Sequence, residues 1–313
     1  MAKKHRIMTF SLGLFLVAVS PGFSEKISFK LCFQTGSIGE GDLNTWINAH
    51  NLQWKEWSAS QGGQLEGQFQ TLTYGARYEV EMRIPIVWGV ALNLGASSFS
   101  SSEEGRVSFI HGTKNQTESD FLRNEIRGIP LKIGFSYVYP LPLLENLSLI
   151  GGIGRHITFL RFKSSEDYKL AVTAFGQRFD YNLKKDGTYS SEALGVYATA
   201  GAEYELMRFL SVVVEAEKVW SKADGFKGDF SEDYLESGPQ GQVRELTSGK
   251  ASLFFYEGQP FWSDKYYAVL HGHKKRPEDP SDFPLGFDAI RNIRQAEFDM
   301  STFVLRIGIR LKF

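Results

Sequence analysis

His156-Ile157-Thr158 sets an imidazole and a hydroxyl two residues apart, on one face of any extended segment. A base beside a nucleophile is the minimal arrangement for covalent catalysis. The intervening Ile157 shares its parity with Leu147, Leu149, Ile153 and Phe159, an apolar set, so His156 and Thr158 fall on the opposite, polar face. The hydroxyl is a threonine's, and no motif supplies a third, orienting group. No catalytic residue is assigned, and the chain is not expected to be an enzyme. His271-Gly272-His273 could present two imidazoles, but a structural metal site takes four ligands. Neither Cys nor further His lies near, and Lys274, Lys275 and Arg276 repel a cation. A solvated loop is expected there, with no metal and no cofactor. Gly151-Gly152-Ile153-Gly154 lies inside a strand pattern with no helix to follow, which excludes a nucleotide loop. The single cysteine, Cys32, excludes an internal disulfide. It sits beside Lys30 and Gln34 on a polar face, where a small inward side chain is expected.

The larger chemistry is electrostatic. Charges recur at alternate positions opposite apolar faces, the period of a strand. Taken by parity, the polar face carries Lys30, Arg77, Lys132, Arg155, Arg306, Arg310 and Lys312 against Glu79, Glu81, Glu203, Glu205, Glu215 and Glu217. If these faces line a narrow interior, the charges must pair, because an uncompensated buried charge is costly. Lys30 is expected level with Glu79 and Glu81, and Arg306 near Glu215 and Glu217. The expected ion-pair network is Lys30, Arg77, Glu79, Glu81, Lys132, Glu215, Glu217, Arg306 and Arg310.

Eight alternating segments position these charges: 26–35, 69–84, a third from Ile86, 126–139, 146–162, 193–206, 209–220 and the terminal Phe303–Phe313. Each is about the ten residues that a tilted strand needs to cross a bilayer, or longer. Their apolar positions include Ile27, Phe29, Leu31 and Phe33, then Leu72, Tyr74, Ala76, Tyr78 and Val80, and finally Phe303 through Phe313 at odd numbers. Three connections are short (Arg83–Ile86, Pro140–Glu145, Met207-Arg208), and long ones alternate with them (36–68, 97–125, 163–192, 221–297). Short turns on one side and long loops on the other characterise outer-membrane barrels. The pairs 168–175 with 177–183 and 251–256 with 265–270 read as hairpins above the membrane, with ten spanning strands as the alternative. Trp46, Trp54 and Trp57 in the first long loop are expected to pack it against the barrel mouth or to rest at the interface.

Lys3, Lys4 and Arg6 precede an apolar run, Ile7–Val19, with Gly22 and Ser24 after it. That is the pattern of a signal peptide over 1–24, leaving 25–313 as one domain. The whole chain has 35 basic and 36 acidic residues, and cleavage leaves 32 against 36. With no basic excess to neutralise phosphates, nucleic acid is not an expected partner. Apolar runs long enough for a spanning helix are lacking, so membrane insertion requires a closed barrel. An eight-stranded barrel is filled by its own side chains and leaves no porin-like channel.

The signal pattern, the loop alternation, Ile129–Leu141 (IPLKIGFSYVYPL), Leu210–Trp220 (LSVVVEAEKVW) and the terminal IGIRLKF together resemble the small OmpA/OmpW-like outer-membrane β-barrels. The resemblance implies an all-β, antiparallel up-and-down transmembrane barrel in the outer membrane, with both mature termini periplasmic. It also implies an assembly signal in Gly308, Ile309, Leu311 and Phe313. Partners implied are outer-membrane lipid and lipopolysaccharide, the assembly machinery, and an extracellular ligand at the loops. Three roles follow in order: a structural or surface-interaction protein with a plugged lumen, a narrow conduit for small or apolar solutes, and a lipid-modifying enzyme. Against the last, the His-x-Ser pair of lipid A deacylases is matched only by His156 and Thr158. The paired aspartates of omptin-like proteases have no counterpart.

Overall fold

The computed structural model describes residues 27–36, 41–72, 77–113, 115–144, 146–274, 276 and 287–313. The expected signal segment, and Tyr74 and Ala76, lie outside them. The elements are β1 (Ser28–Gly36), α1 (Asp42–Ser60), β2 (Gln64–Gln68), β3 (Arg77–Val87), β4 (Val90–Ser97) and β5 (Phe99–Ile110). There follow β6 (Gln116–Pro140), β7 (Leu147–Ala174), β8 (Gln177–Met207), β9 (Leu210–Ala223) and β10 (Lys227–Gly238). Last come β11 (Gly241–Pro260), β12 (Tyr267–His273), β13 (Phe287–Gln295), β14 (Phe298–Asp299) and β15 (Thr302–Lys312).

Eight strands close on themselves. The antiparallel pairs run β1–β3–β4–β6–β7–β8–β9–β15 and back to β1. Closure follows from the two chain-terminal strands: Phe29 pairs with Leu311 and Phe33 with Ile307. Alternation then sorts every strand. Leu31, Val80, Ile133, Ile153, Val214 and Ile307 are each at least half exposed on the outside. Their neighbours in sequence are buried: Lys30, Glu79, Lys132, Glu215 and Arg306 are all at or below 6%. The three short connections and both described ends lie at one end of the ring, where Phe313 N–H donates to Ile27 O at 3.0 Å. No helix among the described residues is long and apolar enough to cross a membrane.

Strand limits shift from the expected ones where a residue dictates the turn. The first tight turn falls at Trp88-Gly89, not Arg83–Ile86, because Gly89 supplies a left-handed φ of 75°. Arg83 therefore stays in β3 and faces inward at 7% exposure. Arg155, assigned above to the polar face, is exposed: on β7 it shares the parity of Ile153 and Ile157. Residues 69–72 do not open the second strand. Phe69 and Leu72 are buried, at 3% and 2%, in a separate apolar core.

The expected long loops are mostly ordered structure at the far end of the ring. β6, β7 and β8 run on past it, pairing without interruption from Leu147–Tyr204 to the turn at Phe175-Gly176. The 168–175 and 177–183 pair is thus a continuation of two ring strands, not a separate hairpin. β5 pairs with the outer half of β6, β10 with the outer half of β8, and β10, β11 and β12 extend that wall. β11–β12 is the expected second hairpin. The first long connection contains α1, a helix of 19 residues. Its sequence has no Gly or Pro, and Leu43, Trp46, Ile47 and Trp54 repeat at helical spacing.

Candidate functional site

Two interiors lie along the axis, and β6 shows both by parity. Glu118 and Asp120 face in near its outer end, Leu122 and Ile126 in the middle, and Lys132 and Ser136 near the short turns.

The inner end is filled by charge. Arg306 lies 2.6 Å from Glu79, 2.7 Å from Glu215 and 3.0 Å from Glu217. Lys132 spans to Glu79 at 2.5 Å and Glu217 at 2.6 Å. Lys30 bridges Glu81 at 2.9 Å and Glu215 at 2.7 Å. Arg310 meets Glu203 at 2.5 Å and Glu81 at 3.3 Å. Eight of the nine expected network residues are thereby brought together, in the register expected: Lys30 opposite Glu81 and Arg306 opposite Glu215. Of Arg77, the ninth, the guanidinium lies 5.9 Å from the Phe99 ring. Arg83, read above as a turn residue, joins through Glu203 at 3.2 Å, and Lys312 reaches Glu203 and Glu205 at 3.1 and 2.8 Å. The alternation of Arg77, Glu79 and Glu81 continued to Arg83 was the signal for it. Cys32 is buried at 1% within this layer. His156 and Thr158 also face inward, at 4% and 1% exposure, with Thr158 Oγ1 3.4 Å from an imidazole nitrogen.

Close packing holds the layer. A Cβ on Gly134 would meet Tyr197 Oη at 2.5 Å and Gly154 Cα at 2.7 Å. Both glycines clear space for the inward Tyr197, whose ring lies 5.7 Å from Lys132 Nζ. Gly308, expected as part of an assembly signal, lies where a Cβ would meet Leu31 O at 2.4 Å and Cys32 Cβ at 2.6 Å. Ile309, Leu311 and Phe313 are exposed on the apolar outside.

Above the charges lies the apolar core of Leu122, Ile126, Phe162, Phe226, Phe298 and Met300, and α1 rests on it through Leu43 and Ile47. Side chains tie the helix down along its length. Asp42 accepts from Arg294 through both oxygens at 2.5 Å and from the Glu297 N–H at 2.6 Å. A carboxylate in the first turn also suits the helix dipole. Asn44 and Asn51, two turns apart, each pair as a peptide group would with the extended segment after β2. Asn44 binds Leu72 N and O at 3.1 and 3.2 Å, and Asn51 binds Phe69 N and O at 2.8 and 2.9 Å.

The same face of the helix carries Trp46, His50, Trp54 and Trp57, which wall a cavity of about 620 Å³. Glu118, Asp120, Glu166, Tyr168 and Lys185 face it from β6, β7 and β8, and Tyr256, Trp262 and Leu270 from the β11–β12 side. The tryptophans therefore do pack the first loop inward, but as a helix beside an open space. Trp57 Nε1 and Tyr168 Oη donate to Glu118 at 3.0 and 3.1 Å. Burial, with the neighbouring Glu118 carboxylate adding to it, holds the Tyr168 hydroxyl well above its usual range and so protonated. His50 Nε2 lies 2.9 Å from Asp120. Burial disfavours its charged form, but the Asp120 hydrogen bond and charge outweigh that and raise its pKa above 6.5. Lys185 sits 3.3 Å from Glu166. No sequence motif marks this site: the cavity residues come from seven elements and the β11–β12 turn, and none shares a spacing that marks a ligand.

His271 and His273 are not in a solvated loop. They lie on β12 with ring centroids 4.8 Å apart, and His271 Nε2 is 3.0 Å from Glu232. No group of three or more metal-ligating side chains occurs among the described residues.

No protein-family model matches this chain, and no curated protein matches its sequence.

Proposed function

We propose that this protein is an outer-membrane β-barrel of the OmpA/OmpW-like kind, exported by a signal peptide, closed to ions, and acting at the cell surface through its large outer region. One observation carries the reading. A closed ring of eight strands exposes apolar side chains around its outside and buries an ion-pair network within. A soluble protein of this size rarely exposes so continuous an apolar surface. Charges inside and apolar residues outside invert the soluble pattern and suit a strand ring in lipid. The charged layer and the apolar core above it both cross the interior, which favours a plugged lumen over a conduit. The outer region, with its roofing helix, is then the part that meets partners outside the cell.

Fractionation and planar-bilayer recording test this together. The protein should fractionate with outer membranes, resist carbonate extraction, and give no steady single-channel openings. Recovery as a soluble periplasmic protein overturns the membrane reading. Steady openings overturn the plugged lumen and favour the conduit.

A further inference from the structure

The cavity beside α1 has the size and lining of a ligand site and a charge balance of one sign. Sites for small molecules are concave, mostly apolar spaces of about 300–1,000 Å³ with a few placed polar groups. This one, at about 620 Å³, is walled largely by aromatic rings. Its polar groups are mostly spoken for. Glu166 has Lys185, and His50 holds Asp120 Oδ2. Among the described residues Glu118 has neutral donors alone, from Trp57, Tyr168 and Gln116. Asp120, 1% exposed, keeps one oxygen, Oδ1, with no hydrogen-bond partner among the described residues. A buried carboxylate oxygen left without a donor is costly, and its natural complement is a donor brought by a ligand.

We infer that this cavity binds a small organic cation: a protonated amine on an aromatic or aliphatic body, its ammonium at Asp120 and Glu118 and its body among the tryptophans. Surplus carboxylate selects positive charge, and indole and phenol faces attract it further. An anion would meet Glu118 and Asp120, while Lys185, His50 and His271 in the lining each already hold a carboxylate. A neutral apolar molecule would fill the space and leave Oδ1 unmet. The entrance is on the Phe261 and Trp262 side, where Phe261 is 73% exposed, and the floor is at Asp120. The inference does not depend on the membrane reading, since the cavity lies beyond the ring.

The test uses the full chain in lipid nanodiscs, so that detergent does not fill the cavity. Four of the six tryptophans (46, 54, 57 and 262) line it, so intrinsic fluorescence reports occupancy. Three probes of one shape are titrated: phenethylammonium, phenethyl alcohol and phenylacetate. The expected order is cation, then neutral, then anion. Asp120→Asn should weaken the cation about tenfold, the scale of one charged hydrogen bond, and leave the alcohol within about twofold. If Asp120→Asn does not fold, Glu118→Gln serves in its place with the same expectation. Equal affinity for the three probes, tighter binding of phenylacetate, or no fluorescence response to phenethylammonium at 10 mM, on the order of a very weak site, overturns the inference.

Discussion

The two interiors bury charge in opposite ways. In the ring, six cations (Lys30, Arg83, Lys132, Arg306, Arg310, Lys312) meet six glutamates, most of them shared between two or three partners. Beside α1, three carboxylates face one lysine and two histidines, and space is left over. In the first, every one of these charges has an opposite partner within 4 Å, although the Nε atoms of Arg83, Arg306 and Arg310 have no hydrogen-bond partner among the described residues. The second is incomplete in both volume and charge. A structural plug should look like the first, and a binding site like the second.

Removing a member of the paired network should cost most. Arg306→Ala takes one partner from each of Glu79, Glu215 and Glu217, leaving them to Lys132 and Lys30, and breaking a buried pair costs about 3–5 kcal/mol. The urea midpoint of the reconstituted protein should fall accordingly, while fluorescence binding by the outer cavity persists in the folded fraction. A loss below about 1 kcal/mol would mean that water already fills the layer.

Gly134→Ala probes the same layer through packing. Its Cβ would press on Tyr197 and Gly154, and overpacking costs about 1–3 kcal/mol. The substitution should lower the urea midpoint without opening a conductance.

In the outer region, Asn51→Ala leaves Phe69 N and O without their partner, a loss of about 1–3 kcal/mol confined to the helix and the segment it holds. Limited proteolysis after residue 60 should accelerate while the ring stays protected. Accelerated cleavage of the ring itself would show that the two interiors unfold as one.

The smallest effect is titration. His50 has its pKa raised in the fold, so its contribution to helix docking is full below pH 6.5 and is lost as pH rises through the folded value. Asp120, Glu166 and Lys185 face it and set that value. Amide exchange in residues 42–60 should quicken across that rise, and His50→Gln should flatten the dependence. An unchanged slope in His50→Gln would assign it to another group.

Legibility differed between the two interiors for a physical reason. Strand parity is a local property, so the outward set (Phe29, Leu31, Ile133, Ile307) and the inward set (Glu79, Lys132, Arg306) could be read from alternation alone. Register between β15 and β9 followed from counting from the turns. What parity could not give was where a turn falls. Arg83 was lost to a turn that Gly89 actually makes, and Arg155 was placed against the parity of its own strand. The helix carried a readable signal in Leu43, Trp46, Ile47 and Trp54, but reading residues 36–68 as a loop hid it.

By itself the sequence determined the alternation, the short connections and the charge balance, because each depends on neighbours two residues away or on counting. Only the tertiary structure decided that the long connections become a wall of extended strands with a helix inside. It alone brought Asp120, Trp54, Lys185 and Trp262 around one space. Those residues lie on β6, α1, β8 and the β11–β12 turn, and nothing local to any one of them records the others.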